Sequence, residues 1–406
     1  MIRSVLLILL LCISSWGFAQ NAYFYYNKGI AQMTYENNTE AIKAFTRAIE
    51  LNDLIANAYA NRGLSHHRLK EYGLAIADYQ KAESLLPGLS SYNMACAYSL
   101  LGKSDDAFQW LTVCQKSDYK QSKEILLSDT DFENIRSDAR WKKIIDTDWS
   151  TPYDKAIQEI DVKYIAKDIA GAIEQCVKAS ALAPAKTKPY LIQSLIYPNN
   201  LEWDKAVASL DKAMTINPKD WEVYASKATL LYRQKKYDEA IGFYEQAMAL
   251  NPEYSPQFDL AMAKFAVGKP EEALKNLKLQ IEFYPRDDFA IYFAGFLSYN
   301  LKEDAAAMSY VNRALEMNPE MPDYHLLKAN IYLVAKDYAN AIAGYTKALE
   351  LNPKLAEGYY KRALAKAERY AKTYDKQDKK DFCSDMEKAE GLNYPGAAQY
   401  LRELCN

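Results

Sequence analysis

Six prolines stand almost equally spaced along the chain, at Pro184, Pro218, Pro252, Pro285, Pro319 and Pro353, with intervals of 34, 34, 33, 34 and 34 residues. Proline has no amide to donate and disfavours helical geometry in the residue before it, so each marks a place where one helix has ended and another is about to begin. Four of them close a similar phrase: Thr215-Ile216-Asn217-Pro218, Ala249-Leu250-Asn251-Pro252, Glu316-Met317-Asn318-Pro319 and Glu350-Leu351-Asn352-Pro353. Asp53 and Pro87, again 34 apart, close two earlier units. A period of that length is the mark of a repeat array, in which 406 residues need not divide into two or three compact domains.

Within a unit the apolar residues fall into two runs with helical spacing. Between Trp221 and Pro252, Tyr224, Ala228 and Leu231 share one face of a first helix. Tyr237, Ala240, Tyr244 and Ala247 share one face of a second, with Lys235 and Lys236 at the turn between them. A small residue recurs where two helices must approach closely: Ala41, Ala75, Ala107, Ala172, Ala206, Ala240, Ala273, Ala307 and Ala341. A second small slot follows seven residues later in most units, at Ala48, Ala82, Ala179, Ala213, Ala247, Ala314 and Ala348. Small residues set against large ones at a fixed register are how antiparallel helix pairs interdigitate.

This order of aromatic, small, aromatic, alanine, aromatic, alanine and proline resembles the tetratricopeptide repeat. Gly29 and Gly63 match its glycine slot, and Tyr72, Tyr237 and Tyr338 its mid-unit tyrosine, so much of the chain's content of 33 tyrosines is structural. The resemblance implies an all-α fold, an α-solenoid superhelix of about ten helix-turn-helix units. They begin near Ala22, Ala56, Gly88, Tyr153, Thr187, Trp221, Tyr254, Asp288, Pro322 and Ala356. From Lys116 to Asp148 the rhythm stops. There Asp129-Thr130-Asp131-Phe132, Ile135-Arg136 and Ala139-Arg140-Trp141 resemble a segment that terminates such arrays. Thr151-Pro152-Tyr153-Asp154 restarts a helix, with a hydroxyl as N-cap, proline in the first helical position and a carboxylate three residues after the cap.

The first twenty residues read as an address. Arg3 precedes an apolar run from Val5 to Leu11, and Gly17-Phe18-Ala19-Gln20 leads into the polar Asn21, the layout of a secretory signal peptide cut after Ala19. The run falls short of the roughly 20 residues that span a bilayer, and no second one follows, so no transmembrane segment is expected in the mature chain. Cys12 supports a rival reading, lipidation at the end of that run; Leu11 opposes it, because the lipid-attachment motif takes a small residue before the cysteine. The expected organisation is a signal peptide over 1–19, an N-terminal module of three repeats with its terminating segment over 22–150, and a C-terminal module of about seven repeats with a cap over 151–406. Such a chain is exported, to the periplasm, the medium or the surface of a bacterium.

Charge and chemistry narrow the function. With 50 Lys and Arg against 53 Asp and Glu, and no basic stripe, nucleic acid is not an expected partner. Ala97-Tyr98-Ser99-Leu100-Leu101-Gly102-Lys103-Ser104 satisfies a permissive phosphate-loop pattern, but it reads as the end of one helix and an inter-helix turn, without the strand a phosphate cradle follows. His66, His67 and His325 place no two histidines one helical turn apart beside a catalytic glutamate, and no Gly-x-Ser-x-Gly elbow occurs. The reading is no metal site, no cofactor and no enzyme.

Five cysteines follow the signal, Cys96, Cys114, Cys176, Cys383 and Cys405, so at least one stays free. Cys176 occupies a core slot. The end of the chain resembles the stapled closing unit of secreted bacterial repeat proteins, which implies a bond between Cys383 and Cys405; the alternative is two buried thiols. Function then falls to the concave groove lined by first helices, where the resemblance implies a protein or peptide partner. Phe258, Met262 and Phe265 in the seventh unit and Phe289, Tyr292, Phe296 and Tyr299 in the eighth form an aromatic strip off the packing slots. Ile291, Gly295 and Ser298 fill the inward face. Sugar stacking, in an envelope carbohydrate-binding component, is the alternative use of the same rings, as is an enzyme of unrecognised type. The clamp by which some family members hold a C-terminal carboxylate is not matched: Asn61 fits, but Tyr26 and Ile30 stand where Lys and Asn belong, and Asn93 where Arg belongs.

Overall fold

The computed structural model describes residues 21–405, and every regular element among them is helical. Arg3, the Val5 to Leu11 run, Cys12 and the Ala19 cleavage position lie outside the described residues. The fold is an all-α solenoid of paired helices. First helices run 21–34, Ala56–Arg68, Ser91–Leu100, Pro152–Ile165, Lys188–Ile196, Trp221–Arg233, Gln257–Ala266, Asp288–Asn300, Pro322–Val334 and Ala356–Thr373. Their partners are Asn38–Leu51, Tyr72–Leu85, Ser104–Lys116, Ile169–Leu182, Trp203–Ile216, Tyr237–Leu250, Pro270–Phe283, Asp304–Met317, Tyr338–Leu351 and Lys376–Gly391. A short final helix, Ala397–Leu404, closes the chain.

The recurring phrase ending in Asn-Pro acts as a hinge. Asn217, Asn251 and Asn352 leave the helix in near-extended geometry, and each side-chain oxygen accepts the backbone N–H two residues on, at 3.1 Å in all three. That is an Asx turn, which supplies the partner that proline's missing amide cannot. The turn inside each unit has its own device. One residue there is left-handed: Glu36, Lys70, Gly102, Lys167, Leu201, Lys235, Gly268, Lys302, Lys336 and Tyr374, all with φ between 55° and 76°. The chain reverses by a helix C-cap of the left-handed type, and only two of its ten positions are glycine.

Both small slots are fully buried. From Ala41 to Ala341 and from Ala48 to Ala348 each of the recurring alanines is 0% exposed. The glycine slots are tighter still. A Cβ on Gly29 would stand 2.5 Å from the Phe45 ring, and one on Gly63 2.7 Å from the Tyr79 ring, so the second helix lays its aromatic directly on the first helix's backbone. Polar clamps join neighbouring units at two equivalent places. Arg62 donates to both carboxylate oxygens of Asp78 at 2.8 and 2.6 Å and to the Thr46 hydroxyl at 3.1 Å. Arg362 repeats this with Asp385 at 2.9 and 2.6 Å and Thr346 at 3.0 Å, and Lys366 adds a third donor to Asp385 at 2.9 Å.

The break in rhythm is bridged by structure. Phe132, Ile135, Trp141 and Ile144 of the terminating segment join the core of the third unit. Thr151 and Asp154 cap the restarting helix reciprocally, and Lys120 donates to Asp154 at 2.7 Å. By packing, the described chain divides into compact units up to Ser255 and from Pro256 onward, whereas the rhythm of the sequence breaks near residue 150. Pro256 also delays the seventh first helix to Gln257, beyond the start near Tyr254 that the periodicity predicts, because it disfavours helical geometry at Ser255.

Candidate functional site: an aromatic strip on first helices

Helix Asp288–Asn300 begins where the Asp287 carboxylate accepts the Ala290 N–H at 2.9 Å. Ile291, Gly295 and Ser298 are buried on its inward face. A Cβ on Gly295 would meet Tyr310 at 3.1 Å, so a small residue there sets how closely the two helices of the unit approach. Its other face carries Phe289, 47% exposed, and the half-buried Tyr292, Phe296 and Tyr299. From the preceding first helix, Phe258, Met262 and Phe265 are half-buried against the same core. Ring centroids are 5.8 Å apart for Phe258 and Phe289, and 5.9 Å for Phe265 and Phe296. The seven residues expected in the groove are thus brought together across two first helices.

Two rings escaped the sequence reading. Phe293, adjacent to Tyr292 and off the helical line that picked out the other four, lies beneath the strip. Its ring is near-parallel to Phe289 and Phe296 at 6.4 and 5.6 Å and edge-on to Phe265 at 5.4 Å. Tyr324, on the next first helix, stacks on Tyr292 at 4.6 Å and donates its hydroxyl to Asp288 at 2.9 Å. Burial, with Asp323 and Glu357 nearby, pushes the Tyr292 phenol up to about 12, so it stays a neutral donor at any physiological pH. Phe289 and the half-buried edges of its neighbours form an apolar surface with a hydroxyl at intervals, suited to a peptide's side chains and backbone.

Comparison with known proteins bears on what such a surface belongs to. Sequence models of the tetratricopeptide repeat match residues 26–90 and 303–356, and a second such model matches 202–265. The chain is a tetratricopeptide repeat protein. Neutrophil cytosol factor 2 of mouse is 30% identical over 142 residues, covering 33% of this chain and 24% of that protein. The human form is 31% identical over 126 residues, 29% and 23% of the two chains. This chain therefore spans about a quarter of the length of the curated relatives it matches. Among solved structures, the C-terminal part of a repeat protein from Cytophaga hutchinsonii has a TM-score of 0.48 at 20% identity, covering 60% of this chain and 98% of that one. A tetratricopeptide repeat protein with an unusual peptide-binding site has a TM-score of 0.43 at 21% identity, covering 46% and 97%.

The remaining features of this tetratricopeptide repeat protein fall into place around its repeats. Gly102 and Lys103 of the phosphate-loop pattern form a left-handed inter-helix turn at the end of Ser91–Leu100. Cys383 and Cys405 are joined by a disulfide, with Cα atoms 5.7 Å apart, while Cys96, Cys114 and Cys176 are free and buried. One cluster went unread in the sequence: ligand atoms of Cys96, Asp129 and Asp131 lie within 4.8 Å of one another. Each is engaged within the protein. Tyr92 donates to Asp129, Cys96 meets the same oxygen at 3.7 Å, and His67 lies 2.9 Å from Asp131. The cluster ties the terminating segment to the second and third units. A cleft of about 1320 Å³ where that segment meets the fourth unit is lined in part by two ion pairs, Lys120 with Asp154 and Lys186 with Asp118.

Proposed function

We propose that this repeat protein is an exported, non-catalytic scaffold that holds a protein or peptide partner on the strip from Phe258 to Tyr299. The observation that carries the reading is the continuity of the strip. Rings from successive first helices meet at Phe258 and Phe289 and at Phe265 and Phe296, joined through Phe293, and Phe289, at the edge, remains 47% exposed. Exposed aromatics of that kind, rimmed by half-buried ones, are the residues around which interface energy concentrates. Rings turned on one another also favour a peptide over a sugar, which needs free ring faces to stack on. Export rests on Arg3 and the Val5 to Leu11 run.

Co-purification from envelope extract with mass spectrometry tests it, using the wild type and Phe289→Ala side by side. The reading expects a partner that Phe289→Ala loses at least tenfold while the melting curve is unchanged, since a half-exposed ring contributes little to the core. Lys278→Ala, on an exposed second-helix face, should retain the partner. Equal recovery by Phe289→Ala and the wild type would move the binding surface elsewhere.

A further inference from the structure

The first two units hold a carboxylate that comes from far along the chain. Glu253 lies in the turn after Asn251-Pro252, where its backbone N–H donates to the Asn251 side chain at 3.1 Å. Its own carboxylate reaches helix Ala56–Arg68, 196 residues away in sequence, and accepts from Asn57 Nδ2 at 2.6 Å. Tyr26, on helix 21–34, gives it a second hydrogen bond through its phenol. Asn61, one helical turn beyond Asn57, donates to the Tyr26 oxygen at 3.4 Å and so leaves the single phenolic proton for Glu253. All of these residues lie within the first compact unit.

The chemistry of the cradle is one-sided. Asn57 and Tyr26 both present donors, and an ionised carboxylate is the side chain that only accepts. A glutamine in the same place would have to turn one end of its amide against a donor. No lysine or arginine contributes to the environment of Glu253 among the described residues, and the groups that face it are the Asn57 amide and the Tyr26 and Tyr23 phenols. Burial correspondingly raises its pKa. A half-buried carboxylate held by neutral donors alone is held weakly enough to be exchanged for another.

We infer that this cradle is a binding site for the side-chain carboxylate of an acidic peptide, and that Glu253 fills it in cis. The occupant from the same chain and the occupant from a partner then compete, and the apparent affinity for the partner is reduced by the fraction of molecules in which Glu253 is seated. This differs from a clamp for a chain terminus, which relies on cations that Tyr26 and Asn93 replace here.

The test uses the full chain and fluorescence anisotropy with a labelled peptide bearing three glutamates and an amidated C-terminus, beside its all-glutamine counterpart. Glu253→Ala should tighten binding of the glutamate peptide by about tenfold, as expected if Glu253 is seated nine-tenths of the time. Adding Asn57→Ala to that variant should abolish the gain, and the glutamine peptide should bind weakly throughout. No tightening in Glu253→Ala, or equal tightening for both peptides, overturns the inference. A second measurement reads the cis contact itself: in thermal melts Asn57→Ala, Glu253→Ala and their combination should shift the midpoint by the same amount, and additive shifts would show that the two side chains do not act together. Phe289→Ala should change none of these results, which separates them from the aromatic strip.

Discussion

Removing the carboxylate at Asp385 should be among the most damaging single changes outside the apolar core. Asp385 is 6% exposed at its side chain and accepts two hydrogen bonds from Arg362 and one from Lys366, whose side chains are only 16% and 10% exposed. Asp385→Ala leaves both cations in place with Arg362's remaining bond to Thr346. Breaking a buried pair by deleting one partner costs about 3 kcal/mol or more, chiefly because the surviving charge stays desolvated. Asp385→Asn keeps the volume and one acceptor, so its cost should be smaller. Repeat arrays unfold locally, so the loss belongs to the tenth unit and not to the whole chain. Hydrogen exchange read by mass spectrometry over residues 356–391 should show opening about a hundredfold more frequent in Asp385→Ala, with peptides of the second and third units unchanged. A change below threefold would mean that Arg362 and Lys366 swing out to water, and the clamp would then be ornament.

Three further outcomes are expected. Gly63→Ala sets a methyl group 2.7 Å from the fully buried Tyr79 ring and 3.1 Å from the Ala75 carbonyl, and should cost about 1–3 kcal/mol of local stability by hydrogen exchange. Lys235→Gly relieves left-handed geometry at φ 61° and should raise stability by about 1 kcal/mol, seen as a higher melting temperature; a loss would mean the lysine side chain stabilises the turn. Peptide mapping of unreduced protein should recover Cys383 linked to Cys405, and reduction should loosen the final helix by about 3 kcal/mol, whereas alkylation of both thiols without reductant would reject the bond.

What could be read from the sequence was whatever repeats. The alanines were legible because each unit poses the same packing problem, and all of them are buried as their spacing predicts. Gly29 and Gly63 were legible because an aromatic lies across them in register. The aromatic strip was partly legible: helical spacing gathers Phe289, Tyr292, Phe296 and Tyr299, but it passes over Phe293, which faces between that line and the core. The pairing of Glu253 with Asn57 was not legible, since nothing periodic relates residues 196 apart and their meeting depends on the summed orientation of every unit between them. The engagement of Tyr92, Cys96 and Asp129 was hidden for a similar reason, because the terminating segment follows no repeat register.

The left-handed turn residues also mark where such a chain can grow. They recur at 34-residue intervals from Lys167 through Lys235, and from Gly268 through Lys336, but the last step, to Tyr374, is 38. The four extra residues between these turns go with a longer first helix in the final unit, which has 18 residues where the preceding one has 13. Four residues are close to one helical turn of 3.6, so lengthening by that amount returns nearly the same side to the interior, about 40° advanced. An inserted pair of residues would instead carry the buried side round to solvent. The unit of permissible length change in this architecture is therefore a turn of helix, and the terminal repeat displays one such edit already made and then sealed by a disulfide.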